Sequence, residues 1–133
     1  MQLIKTQTKL QVADNSGAKF AKCIKIIGKG KQKTATILSF VLITLQYFNN
    51  RKKVQKRTIY LGLILCIKYW FKRFDGTYLK FFSNRILIFN SQYKFLGTRV
   101  YGIIIKELKT KIPKNKIIRK AFQKILVLSS LIV

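Results

Sequence analysis

The chain has 133 residues, with 28 Lys and Arg against only 3 acidic residues and no histidine, for a formal net charge of +25. So many like charges repel one another in a compact fold and favour a polyanionic partner: RNA, DNA or an anionic membrane. The same inventory excludes acid–base and metal-dependent enzymes, since there is no His, the two cysteines are far apart, and the three carboxylates lie in or beside turns.

Hydrophobic residues make up 49% of the chain, too many for a disordered basic tail. A single domain over 1–133 is expected, with a barrel and ribbon over 1–105, the ribbon near 45–60, and a helical segment over 106–133. The longest apolar runs, Ile37 to Phe48 and Ile59 to Ile67, fall short of the roughly 20 residues a membrane-spanning helix needs. No membrane insertion is expected. Cys23 and Cys66 are expected to be small buried hydrophobes, with a reactive thiol or a disulfide as the other readings. The start, MQLIKTQTKL, has neither a secretory nor a transit pattern, so nothing at the front is expected to be removed.

In chain order, TQTKLQV and AKCIKII alternate polar and apolar residues, the period of half-buried strands. Between them ADNSG predicts a tight corner at Asp14, Asn15 and Gly17, with Asp14 accepting backbone N–H bonds. GKGKQKT then forms a cationic loop in which Lys29, Lys31 and Lys33 either meet phosphate or remain a solvated hairpin tip. It lacks the P-loop spacing for a nucleotide.

The strand-like TILSFVLITLQYF and TIYLGLILCIKYWF flank NNRKKVQKR, so Arg51, Lys52, Lys53, Lys56 and Arg57 are predicted on a ribbon that lies along nucleic acid. Beyond it, Tyr69, Trp70, Phe71 and Phe74 interleave with Lys68, Lys72 and Arg73. This pattern serves either base stacking beside phosphate contacts or a core aromatic cluster. Asp75-Gly76 predicts a hairpin turn. RILIFN and FLGTRVYGIII predict further strands, the latter with bends or close approaches at Gly97 and Gly102 and with Arg99 as a cationic contact. Near the end, Ile117, Ile118, Phe122, Ile125 and Leu126 follow a helical rhythm after Pro113 and Asn115. That basic amphipathic helix either packs on the barrel or lies on a membrane surface.

These pieces resemble the family of the universal fourteenth protein of the large ribosomal subunit. The resemblance begins at VADNSGAK and CIKI, from Val12 to Ile26, and runs along the basic ribbon. Its most diagnostic block is Gly62 to Leu65, Asp75-Gly76, Phe81, Asn84 and Leu87-Ile88 at the family's spacing. GTRVYG (Gly97 to Gly102) and KEL (Lys106 to Leu108) follow in order. The chain departs from the family pattern at Leu87 for Val, at Phe74 and Ile103 for Pro, at Ser83, and in a longer segment from Lys109 to Ala121. That segment serves either a local RNA contact or a solvated loop.

The resemblance implies a mainly β fold: a small five-stranded β-barrel with a protruding basic β-ribbon and a C-terminal α-helical segment. It also implies a structural, non-enzymatic role without cofactor or metal, binding large-subunit rRNA on the face that meets the small subunit. The implied partners are small-subunit rRNA across intersubunit bridges, the third and nineteenth large-subunit proteins, and a ribosome-silencing factor, with no second copy of the chain. A free-standing basic RNA-binding protein is the alternative. Phe, Tyr, Met, Ile, Asn and Lys account for 64 residues against 19 for Gly, Ala, Arg and Pro, and Lys outnumbers Arg 22 to 6. This codon-driven bias points to an AT-rich genome. With no presequence seen, a mitochondrial matrix location on the mitoribosome is expected, with a plastid or an AT-rich bacterium as alternatives.

Overall fold

The structure is a computed structural model describing residues 4–27, 34–48, 58–110, 115–129 and 131–133. Strands β1 (Lys9–Val12), β2 (Ala18–Ile26), β3 (Phe40–Phe48), β4 (Ile59–Cys66) and β7 (Arg85–Phe89) form a closed barrel in the order β1-β2-β3-β4-β7. All neighbours are antiparallel except β1 and β7, whose parallel pairing, Val12 opposite Ile86, closes the ring. Closure removes the exposed sheet edges that would otherwise invite pairing with other chains. The expected five-stranded barrel with a helix near its C-terminal end is therefore present, while most of the expected ribbon lies outside the described residues.

Alternation explains which side chains fill it. Leu10, Ala21, Cys23, Val41, Ile43, Ile64, Ile86 and Ile88 are buried in the interior. On β2 the period breaks, because Cys23 pairs with Ile43 while Lys25 pairs with Leu42, leaving Ile24 as the extra residue of a bulge and 41% exposed.

Strands β4 and β7 are apolar on both faces. Their second set, Leu61, Leu63, Leu65, Leu87 and Phe89, belongs to another cluster with Ala121, Phe122 and Ile125 of α2 (Lys116–Leu128). Two buried faces account for the nearly unbroken hydrophobic run of β4, since each such side chain contributes about 1.5–3 kcal/mol on full burial. Phe40 joins the layers, meeting Phe89 edge-on at 5.2 Å and stacking on Phe122 at 6.3 Å between ring centres.

The helix begins at Asn115, whose side-chain oxygen accepts the Ile117 N–H at 2.9 Å. Ala121, Phe122 and Ile125 pack on the barrel, while Ile117 and Val127 remain exposed. No helix among the described residues is long and apolar enough to cross a membrane.

The remaining elements are short: the hairpin β5 (Phe71–Lys72) and β6 (Tyr78–Leu79), then β8 (Ile103–Ile104), α1 (Glu107–Thr110) and β9 (Leu131–Ile132). FLGTRVYGIII is thus not one strand. Phe95 and Val100 form isolated bridges to Phe89 and Asp14, and Gly102 at φ +94° turns the chain before Ile103 pairs in parallel with Leu131. Packing of the final segment on the barrel therefore includes a small parallel sheet.

Candidate nucleic-acid interface

Eight expected RNA contacts, Lys29, Lys31, Lys33, Arg51, Lys52, Lys53, Lys56 and Arg57, lie outside the described residues. Lys72, Arg73 and Arg99 are described, and the fold treats each differently.

Arg99 is exposed beside a clasp made by the first turn. Asn15 accepts the N–H groups of Thr98 and Arg99 through one oxygen, at 2.8 and 3.0 Å, and donates to the Thr98 hydroxyl at 2.6 Å. Asp14, buried below it, accepts the Ser16 N–H at 2.9 Å and hydroxyl at 2.5 Å through Oδ1, and the Ile88 N–H of β7 at 2.9 Å through Oδ2. Burial pushes the Asp14 carboxyl above its ordinary range, and these hydrogen bonds pull part of that rise back.

Close approach completes the clasp. A methyl group at Gly97 would lie 2.7 Å from Phe95 Cζ and 3.1 Å from Asp14 Cβ, and Tyr101 donates its N–H to the Ala13 carbonyl at 2.7 Å. The Asp-Asn-Ser-Gly corner, with Gly17 at φ 106°, thus joins β1, β7 and the loop that carries Arg99.

The second turn works by the same chemistry. Asp75 accepts the Thr77 N–H at 3.0 Å and hydroxyl at 2.6 Å, with Gly76 at φ 88°. Those bonds hold its carboxyl below the usual range.

Just before the turn, Arg73 faces inward. Its Nε lies 3.0 Å from Glu107 Oε1, both side chains are 12% exposed, and a guanidinium N–H also meets the Val133 carbonyl. Arg73 therefore ties the hairpin to α1 and to Val133, the residue after β9, whereas its neighbour Lys72 is exposed to solvent.

The aromatic ambiguity resolves by position: Tyr69 and Phe71 pack against the barrel core, while Trp70 is 56% exposed and Phe74 is 99% exposed. Sequence reading missed Lys80, whose ammonium lies 5.4 Å from the Trp70 ring centre, because pairing across the hairpin brings them together. Lys120 and Lys124, which the helical rhythm sets on the polar face of that helix, line a cavity of about 340 Å³ over Phe95 and Ala121 together with Lys94, which sequence reading missed.

Cys23 and Cys66 are buried, unbridged thiols. Burial pushes the Cys66 thiol up to about 11, with Arg85 opposing, so it remains protonated near neutrality. No group of three or more metal-ligating side chains occurs among the described residues.

The model of the family described as ribosomal protein L14p/L23e matches residues 3–133. The chain is also similar to the large ribosomal subunit protein uL14 of Carsonella ruddii (strain PV), at 38% identity over 107 residues, covering 80% of this chain and 88% of the relative. The chain belongs to the ribosomal protein L14p/L23e family, and its role is that of a non-enzymatic ribosomal protein.

Proposed function

We propose that this protein is a structural constituent of the large ribosomal subunit that binds large-subunit rRNA through its exposed lysines and arginines and contributes to the face that meets the small subunit. The observation that carries this reading is the fate of its three carboxylates. Asp14 is buried in the clasp, Asp75 holds the hairpin turn, and Glu107 is paired with Arg73. All three are spent on the protein's own fold, so the exposed cations are left for phosphate.

Contacts through Lys29, Lys31 and Lys33, the ribbon cations Arg51, Lys52, Lys53, Lys56 and Arg57, and Lys72 and Arg99 would neutralise closely spaced phosphates and release counterions, making binding steeply salt-dependent. Arg73 serves this binding indirectly, by fixing the hairpin that carries Lys72. Replacing Arg51, Lys52 and Lys53 together with alanine is expected to weaken incorporation into large subunits and flatten its salt dependence, while leaving the isolated barrel about as stable. Unchanged incorporation would remove the ribbon from the binding surface.

Contacts with small-subunit rRNA across intersubunit bridges, with the third and nineteenth large-subunit proteins and with a ribosome-silencing factor belong to the same reading. Cross-linking within assembled ribosomes tests each of them.

For the place of work we propose an organellar ribosome, that of the mitochondrion first. The support is the bias toward residues with AT-rich codons, seen most plainly in 22 Lys against 6 Arg. The bacterial source of the relative favours the second reading, an AT-rich bacterium with the same bias. Sequencing the DNA that flanks the gene decides between an organellar and a bacterial chromosome.

A further inference from the structure

The strands of the β5–β6 hairpin alternate from Ile67 to Phe74 and from Tyr78 to Phe82. On one side Ile67, Tyr69, Phe71, Leu79 and Phe81 pack against the barrel core. On the other, Trp70, Lys72, Phe74, Tyr78, Lys80 and Phe82 all face solvent. This outward set alternates aromatic and cation along each arm.

The register also alternates them across the arms. Lys72 pairs with Tyr78, Lys80 lies over Trp70, and Trp70 meets Tyr78 edge-on at 6.4 Å between ring centres. Four large rings are left more than half exposed, with Phe74 at 99% and Phe82 at 96%. Exposing that much aromatic surface is unfavourable unless something covers it. Asp75 at the tip is already engaged by Thr77, so the face is cationic as well as aromatic.

We propose that this face is a stacking platform for unpaired RNA bases, in which Trp70 and Phe82 take successive bases and Lys72 and Lys80 meet the intervening phosphates. The inference rests on the RNA-binding reading above and adds the state of the RNA. Rings beside lysines match the two chemistries of a single strand, a π-face on every base and a charge on every phosphate. In a duplex the bases are stacked on one another and offer no face to a flat aromatic surface. A protein partner would have to bring carboxylates at the spacing of the lysines and apolar groups at the spacing of the rings.

Trp70 is the single tryptophan of the chain, so its emission reports on the platform alone. The full-length protein is titrated with an unstructured A/C single strand and with a blunt RNA duplex of equal length. Binding is followed by the anisotropy of labelled RNA and, separately, by Trp70 emission. The single strand is expected to quench Trp70, and the duplex to bind with emission nearly unchanged. Trp70→Ala and Phe82→Ala, both at exposed positions, are each expected to weaken single-strand binding roughly tenfold and to leave duplex binding as it was.

Single-strand binding seen by anisotropy without quenching, or at wild-type affinity in both variants, overturns the platform and leaves the RNA-binding reading standing. Failure of both RNAs to bind at moderate salt overturns the two together.

Discussion

Asp14→Ala is expected to destabilise the isolated protein by about 3 kcal/mol, read as a lower midpoint in urea unfolding with an unchanged slope. The substitution removes the acceptor for the Ser16 N–H and hydroxyl and for the Ile88 N–H, and it leaves these donors buried without a partner. A buried donor left unpaired costs more than an ordinary hydrogen bond contributes, because the water it lost on folding is not replaced.

The loss also depends on pH in a direction opposite to the usual carboxylate. Asp14 has a folded-state pKa raised by burial, so the native state holds the proton more tightly than the unfolded chain does. Its stabilising share is fully present below the unfolded value and declines as pH rises through the folded one. The gap between wild type and Asp14→Ala should therefore widen on acidification from neutral pH. A gap that narrows on acidification would show that the hydrogen bonds outweigh burial.

Glu107→Ala is expected to cost a similar amount, about 3 kcal/mol, by removing the carboxylate that faces the Arg73 guanidinium where it is only 12% exposed, with the Val133 carbonyl left as its partner. The physical cause is the uncompensated charge more than the lost attraction. Replacing both partners with apolar residues of similar length, Arg73→Met with Glu107→Leu, should then lose less than Glu107→Ala alone. Unfolding of Glu107→Ala, Arg73→Met and the double variant side by side checks this. A double variant as damaged as the sum of the two single changes would mean that Arg73 and Glu107 contribute independently, with no coupling between them.

Most of the barrel was legible because it obeys a simple period. The alternation around Leu10 and Cys23 marks strands with one buried face, and the unbroken run of β4 marks a strand buried on both. The corner at Asp14 was legible from residue types suited to turns, although its reach to Ile88 was not, since 74 residues separate the partners. The region from Phe95 to Ile105 misled for a definite reason: its apolar residues are spaced like a strand, but Gly102 at positive φ interrupts it, and Ile103 and Ile104 beyond that turn pair with β9.

At the interface, composition signalled a cationic surface without sorting its members. Arg73 and Lys72 are adjacent in sequence and equal in charge, yet pleating sends one to Glu107 and the other to solvent. The Trp70–Lys80 contact needed the hairpin register, which no local pattern states.

The most direct test of the ribosomal role is sedimentation of the native protein from a lysate of its source, on gradients of increasing salt, with large-subunit rRNA probed in each fraction. The predicted result is co-migration with that rRNA at moderate salt and steep release as salt rises. Migration as a free protein at every salt, or with membranes after nuclease treatment, would contradict it.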